Sequence, residues 1–159
     1  MAVLFLCCVV ALTAQTSNYQ PLEWGAVAAE DLQMTFYAPD TTASALVLGD
    51  EGYMDVGKDN SGQYEWLLRR HKRLKILTEA ALNKYTDVVI YYAHKDGTDN
   101  VRQISAHSIA PDGTITEVKK SDVFHEKINE YWSKAIFAFP EVKVGSVLEY
   151  RYELRSEEH

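Results

Sequence analysis

Cysteine is nearly absent from this sequence. The 159 residues contain two, Cys7 and Cys8, and both lie in an apolar amino-terminal stretch. If that stretch is removed as a leader, the mature chain has no thiol. It then has no disulfide, no thiolate nucleophile and no cysteine ligand for a metal. We therefore expect a mature protein that is held together by packing and performs no cysteine-dependent reaction.

A long hydrophobic run is also missing. The amino-terminal apolar stretch is about a dozen residues long, which is shorter than the roughly 20 residues that cross a bilayer. Its length and lack of charge fit the apolar core of a secretory signal, and the small residue Ala14 fits a cleavage position, although no Lys or Arg precedes the run. We predict a signal peptide over residues 1–14 and a flexible segment over residues 15–23; the alternative is a buried first strand. The protein is expected to be exported, periplasmic or extracellular, with no membrane span in its mature form.

Basic residues are too few to create a positive field. Lysine and arginine number 16 against 23 aspartates and glutamates, so the net charge is −7. A general nucleic-acid binder needs a basic surface that displaces counterions, and we expect no nucleic-acid partner. The apolar fraction of 47% and the charged fraction of 25% are ordinary for a single globular domain of this length.

Familiar catalytic motifs are absent. The sequence has no Gly-x-Ser-x-Gly elbow and no glycine-rich phosphate loop. His125 and Glu126 begin a zinc-protease pattern, but the position for the second histidine holds Asn129. We predict no catalytic, cofactor-binding or metal-binding residue and no cofactor. An enzyme that uses Asp122, His125 or Glu126 is kept as an alternative hypothesis.

The clearest pattern that is present lies in residues 146–155. Leu148, Tyr150, Tyr152 and Leu154 alternate with Glu149, Arg151, Glu153 and Arg155. Because side chains alternate faces along a strand, this pattern predicts a strand with one buried and one solvent-exposed face.

Similar patterns predict a sheet-rich domain over residues 24–159. We expect one short helix or turn of helix within residues 23–34, and a helical turn or an irregular link at 79–83. We also expect a hairpin turn at 49–52 and further turns or loops at 39–42, 57–62, 95–100 and 111–113. Residues 121–132 allow either a helix over 126–132 or a short strand at Val123 and Phe124. Many short strands with few helical patterns indicate a mainly β fold, an antiparallel β-sandwich with one or two short helices. The predicted strands cover residues 43–48, 53–56, 64–77, 87–93, 101–110, 114–119, 134–139 and 146–155.

A basic run at residues 69–73 interrupts the longest predicted strand. Arg70 and Lys72 stand at positions of apolar parity, which predicts a bulge or an exposed edge there. Arg70, Lys72 and Trp132 are our possible ligand-contacting residues. The competing interpretation of the basic run is a solvated strand face, and most aromatic residues have the parity of a core rather than of a sugar-binding platform.

Five stretches in order resemble one family. They are residues 30–34 with 37–40, residues 43–49 (ASALVLG), residues 73–77, residues 104–113 (ISAHSIAPDG) and residues 137–154 (FAFPEVKVGSVLEYRYEL). Together they resemble a bacterial domain of unknown function that precedes transglutaminase-like cores in secreted proteins. The resemblance covers about residues 24–156.

The resemblance implies a β-sandwich followed by a papain-like domain with a Cys-His-Asp triad. No cysteine follows Cys8, so no catalytic residue is transferred to this chain. The expected function is a non-catalytic exported module that packs against, positions or binds substrate for a transglutaminase-like domain, normally on the same chain. The alternative is a free-standing carbohydrate- or peptide-binding module. The chain is either a truncated gene product or a free-standing copy of the module.

Overall fold

The structure, a computed structural model, describes residues 21–58, 61–93 and 99–157. Two α-helices, a short 3-10 helix at Lys120–Asp122 and eight strands form the described part of the chain. The elements in order are α1 (Ala29–Gln33), β1 (Ala45–Lys58), β2 (Tyr64–Ile76), α2 (Glu79–Tyr85), β3 (Asp87–Ala93), β4 (Asp99–Ile109), β5 (Ile115–Glu117), β6 (Phe124–Lys127), β7 (Trp132–Ala138) and β8 (Val147–Glu157).

The strands form two antiparallel sheets. The larger sheet has the order β1-β2-β8-β4-β5, and the smaller sheet has the order β3-β7-β6. One face of each sheet contributes to a shared core, so the predicted sandwich is confirmed. The core includes Leu74, Ile76, Val101, Ala106 and Leu148 from the larger sheet and Ile90, Tyr92, Ala135 and Phe137 from the smaller one.

The two longest alternating patterns pair with each other. In the β2–β8 ladder, Leu74 lies opposite Leu148, and Arg73 lies opposite Glu149. Because neighbouring residues of a strand point to opposite faces, the leucines enter the core and the charged pair lies on the outer face of the larger sheet. The predicted division into an apolar and a polar face is therefore present in both strands.

The outer face is not simply solvent-exposed, and this part of the prediction is wrong. Arg73, Lys75 and Glu149 are all buried, with Glu149 at 0% exposure. The chain before β1 covers them. The Lys75 ammonium donates to the carbonyl of Leu32 in α1 at 2.6 Å, and the amide of Gly25 donates to Glu149. The predicted flexible segment is described from residue 21 onward, and there the amide of Leu22 donates to Glu51.

The predicted hairpin turn at residues 49–52 is wrong, because those residues lie inside β1. Residues 53–56 continue the same strand and do not form a return strand. A β-carbon at Gly49 would come within 2.7 Å of the Leu22 side chain. Gly49 therefore allows close approach of the covering segment and does not form a turn.

The expected irregularity at Arg70 and Lys72 is also misplaced. Strand β2 lies between β1 and β8 and pairs with both without a break at these residues. The register shift occurs in the partner strand, between Val47 and Gly49. An interior strand has no free edge to protect, so the two cations have another role.

The other predictions have different outcomes in different parts of the chain. In residues 121–132 a strand is present as predicted, but β6 begins at Phe124, leaves out Val123 and runs on to Lys127; the helix over 126–132 is wrong. The predicted loop at 57–62 begins later, because Gly57 and Lys58 end β1. The signal peptide over 1–14, residues 15–20, residues 59–60 of that loop and residues 95–98 of the predicted turn lie outside the described residues. Over the described ranges, no helix is long and apolar enough to cross a membrane.

Candidate functional site

A buried carboxylate organises the outer face of the larger sheet. Glu149 of β8 accepts hydrogen bonds from four residues on three separate parts of the chain. Arg73 Nη2 lies 2.6 Å and His71 Nε2 lies 2.7 Å from Oε1. His107 Nε2 lies 2.8 Å and the Gly25 amide nitrogen lies 2.9 Å from Oε2. The ladder creates this cluster, because Arg73 and His107 are the direct partners of Glu149 in β2 and β4.

These donors keep Glu149 ionised. Burial raises the pKa of its carboxyl group, but the hydrogen bonds from His107, Arg73, Gly25 and His71 together outweigh burial and lower the pKa to about 2. A carboxylate is an acceptor only. Both histidines must therefore carry a proton on Nε2 and donate it to Glu149.

Trp24 closes the cluster from the outside. Its ring centroid lies 4.3 Å from that of His107 and 5.5 Å from that of His71. The guanidinium carbon of Arg151 lies 4.5 Å from the Trp24 centroid, in a cation–π contact. Arg73 Nη2 also donates to the carbonyl of Glu23 at 2.6 Å. Residues 23–25 are thus fixed to the sheet by hydrogen bonds and ring contacts together.

An open cleft of about 750 Å³ lies beside this cluster. It crosses β1, β2, β8 and β4, and its lining includes Pro21, Glu51, Tyr53, Arg69, His71 and Arg151. His71 belongs to both the Glu149 cluster and the cleft. Its ring is hydrogen-bonded to Glu149, and the residue forms part of the cleft lining. The volume falls within the range of sites that bind small molecules or short peptides.

The cleft contains a strained backbone position. Gln103 lines it and has a φ of 52°, in the left-handed region. The residue sits where the β4–β8 register shifts between Arg102 and Ser105. Bulges and positive φ angles at residues other than glycine are enriched next to binding and catalytic sites.

The cluster itself stabilises the fold and the wall of the cleft. The described residues contain no grouping of histidine, cysteine, aspartate or glutamate arranged to hold a metal ion. His71 and His107 are each already hydrogen-bonded to Glu149, and the Arg73 guanidinium beside them would repel a cation. The part of the site that is open to a ligand is the cleft.

Comparison with known proteins identifies the family. The family model of a domain of unknown function with solved structure, DUF3857, matches residues 62–159. The chain belongs to the DUF3857 family. The match extends from just before β2 to the end of the chain, so it includes His71, Arg73, His107 and Glu149. Trp24, Gly25 and all of β1 lie outside it.

A solved structure shares the fold of this DUF3857 chain. It comes from Parabacteroides distasonis ATCC 8503 and is described as a "putative protease". The two superimpose with a TM-score of 0.58 at 15% sequence identity, over 73% of this chain. This chain spans 24% of that protein's length. No curated protein has a matching sequence.

The three predicted ligand-contacting residues of this DUF3857 chain do not form one site. Arg70 makes a two-pronged ion pair with Asp50, at 2.8 and 2.7 Å, and Lys72 Nζ lies 3.2 Å from the same carboxylate. The hydrogen bonds that Arg70 donates to Asp50 raise the pKa of its guanidinium above its ordinary value. Trp132 lies in the other sheet and is 49% exposed.

Each residue of the alternative enzyme hypothesis contacts a neighbouring side chain. The Ser121 hydroxyl donates to Asp122, Glu126 pairs with Lys134 at 3.0 Å, and His125 Nδ1 lies 3.2 Å from the Tyr92 hydroxyl. The residues that do come together, Arg73, His107 and Glu149, were not singled out from the sequence. The sequence did contain one sign of this cluster: residues of opposite charge stand at the outer-face positions of two long predicted strands.

Proposed function

We propose that this chain is a non-catalytic, exported β-sandwich module that packs against and positions a transglutaminase-like domain, or binds substrate for it. The observation that supports this proposal is an apolar surface that the described residues leave uncovered. We call it the distal face and define it by Met54, Val56, Tyr64 and Trp66.

The distal face continues the core face of the larger sheet. Val56 lies opposite Trp66, and Met54 lies opposite Leu68, on the same side of β2 as the buried Leu74. The smaller sheet covers Leu74 but not these residues. Met54 is 61%, Tyr64 57%, Val56 48% and Trp66 41% exposed. A contiguous exposed apolar patch on a soluble fold is typical of an interaction surface.

The position of β8 supports a following domain as the occupant. The last described pairs of the β2–β8 ladder join Trp66 to Ser156 and Glu65 to Glu157. In a longer chain, the segment after β8 would therefore leave beside Trp66. The Parabacteroides structure is about four times as long as the part that this chain spans. The resemblance found in the sequence implies a transglutaminase-like domain at that place.

A non-catalytic role is supported by how the buried cluster uses its ionisable groups. Both oxygens of Glu149 accept two or more hydrogen bonds, so this buried carboxylate is committed to its donors. A general base needs an accessible lone pair within reach of a substrate proton. Export is supported by the composition of residues 1–14 and is tested by fractionation of the native host.

The docking proposal is tested by binding in trans. The chain is titrated with a transglutaminase-like domain excised from a longer protein that carries this module before it, using calorimetry. We expect measurable binding that is weakened at least about tenfold by Trp66→Glu, because the substitution puts a charge into an apolar interface. Tyr91→Glu, on the outer face of the smaller sheet, is the matched control. Absence of binding at millimolar concentration, or equal affinity of both variants, would contradict the proposal.

A second function, the free-standing carbohydrate-binding module, is favoured by a different surface. Tyr91, Phe124 and Trp132 are 62%, 64% and 49% exposed. Tyr91 and Trp132 lie on adjacent strands two residue pairs apart, on the outer face of the smaller sheet. Exposed aromatic rings can stack on sugars. A glycan array distinguishes the functions: a specific signal that Trp132→Ala removes, without any partner domain, would favour this one.

A further inference from the structure

We infer that the outer-face cleft binds an extended peptide that carries a carboxylate, and that Arg151 is the receptor for that carboxylate. The inference does not rest on the docking proposed above. The cleft lies on the opposite side of the larger sheet from the distal face, so either proposal can fail alone.

The acidic groups of the cleft are already committed to partners. Glu51 Oε1 accepts the Leu22 amide at 2.6 Å, and Glu153 Oε1 pairs with Arg69 Nε at 3.0 Å. Arg69 also lies over the Tyr53 ring, with its guanidinium carbon 5.9 Å from the centroid. A ligand entering the cleft therefore meets one acid, Glu153, that is paired with a cation, and another, Glu51, whose Oε1 already accepts a backbone amide.

Arg151 differs from these residues because its charge has no acidic partner within the described ranges. None of the ion pairs among the described residues includes it. Its contact is with the face of Trp24. Stacking on a ring uses the flat face of the guanidinium and leaves the N–H edge able to donate. An arginine held in this way is oriented before the ligand arrives, and a carboxylate fits the edge with two parallel hydrogen bonds.

The neighbours of Arg151 strengthen this assignment. Arg151 lies directly opposite His71 on β2 and Ser105 on β4. His71 is fixed by Glu149, whose negative charge is balanced by Arg73 at 2.6 Å. The buried carboxylate therefore does not cancel the field of Arg151. In a protein with a net charge of −7, this local positive site selects for an anionic group.

The shape of the cleft favours an extended peptide. The cleft crosses four adjacent strands, β1, β2, β8 and β4, which corresponds to three spacings of about 4.8 Å, or about 14 Å. That length accommodates about four residues of extended chain. Tyr53 and Pro21 offer apolar surface at one side, and the strained backbone at Gln103 borders the other.

Three tetrapeptides test the inference and identify the source of the carboxylate. They are Ala-Ala-Tyr-Gln with a free carboxyl terminus, Ala-Ala-Tyr-Glu as the amide and Ala-Ala-Tyr-Gln as the amide. Binding is followed by chemical-shift changes in the labelled protein, which detect weak affinities. We expect at least one carboxylate-bearing peptide to bind at least about tenfold more tightly than the uncharged amide. A preference for the first peptide identifies a terminal carboxylate, and a preference for the second identifies a side chain.

Variants separate recognition by Arg151 from general attraction. Arg151→Gln is expected to remove the preference for carboxylate, and Arg151→Lys to retain only part of it, because lysine lacks the planar fork. Arg155→Gln is the matched control: Arg155 lies on the same face of β8, outside the cleft lining, and pairs with Glu65 at 3.2 Å. Arg155→Gln should bind like the unmodified protein. Equal binding of all three peptides, no binding at millimolar concentration, or an unchanged preference in a folded Arg151→Gln variant would overturn the inference.

Discussion

Arg73 and Glu149 face each other across β2 and β8 with 2.6 Å between Nη2 and Oε1, and both residues are buried. A buried ion pair repays its loss of hydration only when the remaining donors and acceptors are also satisfied. Here the Glu23 carbonyl accepts a further bond from Arg73, and Gly25 and two histidines donate to Glu149. The pair therefore fixes the register of β2 against β8 and attaches the amino-terminal segment to the sheet.

Glu149→Gln tests the importance of this charge. The substitution preserves the shape of the side chain but leaves the Arg73 guanidinium buried without its counter-charge. Breaking one partner of a buried pair typically costs about 3–5 kcal/mol, and we expect a loss of that size in the free energy of unfolding in urea. Glu153→Gln is the matched control on the same face of β8, because its partner Arg69 is 52% exposed. The control should lose less than about 1 kcal/mol. Similar losses in both variants would contradict a special role for the buried pair.

We expect low pH to reduce the free energy of unfolding, because Glu149 becomes protonated. The pKa of Glu149 is about 2 in the folded protein, against an ordinary value of 4.5, so the folded state favours the ionised form. Its contribution is fully present above about pH 4.5 and is lost as the pH falls through about 2. The difference corresponds to roughly 3 kcal/mol. We expect the stability gap between the unmodified protein and Glu149→Gln to shrink between pH 5 and pH 2 in urea unfolding. A gap that stays constant over this range would refute the assignment.

Tyr150 tests the opposite face of β8. Its ring centroid lies 6.0 Å from that of Phe137 and 6.3 Å from that of Phe139, and it stacks on Tyr152 at 6.4 Å. We expect Tyr150→Ala to cost about 3–5 kcal/mol in denaturant unfolding, as for large aromatic truncations in cores. Tyr91→Ala is the control, because Tyr91 is 62% exposed on the smaller sheet, and it should cost less than about 1 kcal/mol. A loss below 1 kcal/mol for Tyr150→Ala would show that this face is not packed.

The strands were predictable from the sequence because alternation is a local property. The alternation of apolar and polar residues in 64–77 and 146–155 predicted β2 and β8. It also placed Leu148 and Glu149 on opposite faces of the strand. The burial of Glu149 was not predictable in this way. It depends on Gly25, 124 residues earlier in the chain, and no pattern within one strand encodes that contact.

The misplaced hairpin has the same cause. Glycine is common in turns, so from the sequence alone the spacing of Gly49 and Gly52 favours a turn. The structure shows that Gly49 instead admits the Leu22 side chain against β1. The site was missed for a related reason: Arg73, His107 and Glu149 come together only through the pairing of β2, β8 and β4, and each alone looks like an ordinary outer-face residue.

Two glycines in turns provide a matched test of a close backbone approach. Gly145 has a φ of +89° and Gly113 a φ of +87°, so alanine is strained at both. A β-carbon at position 145 would also lie 2.9 Å from Pro111 Cγ, whereas at position 113 nothing lies within 4 Å. We expect Gly145→Ala to lower the thermal midpoint clearly more than Gly113→Ala, because the stiff proline ring cannot move aside. Adding Pro111→Ala should recover part of the extra loss in a double-mutant cycle. Equal losses for the two glycine variants, or no coupling with Pro111→Ala, would mean that the contact does not constrain the turn before β8.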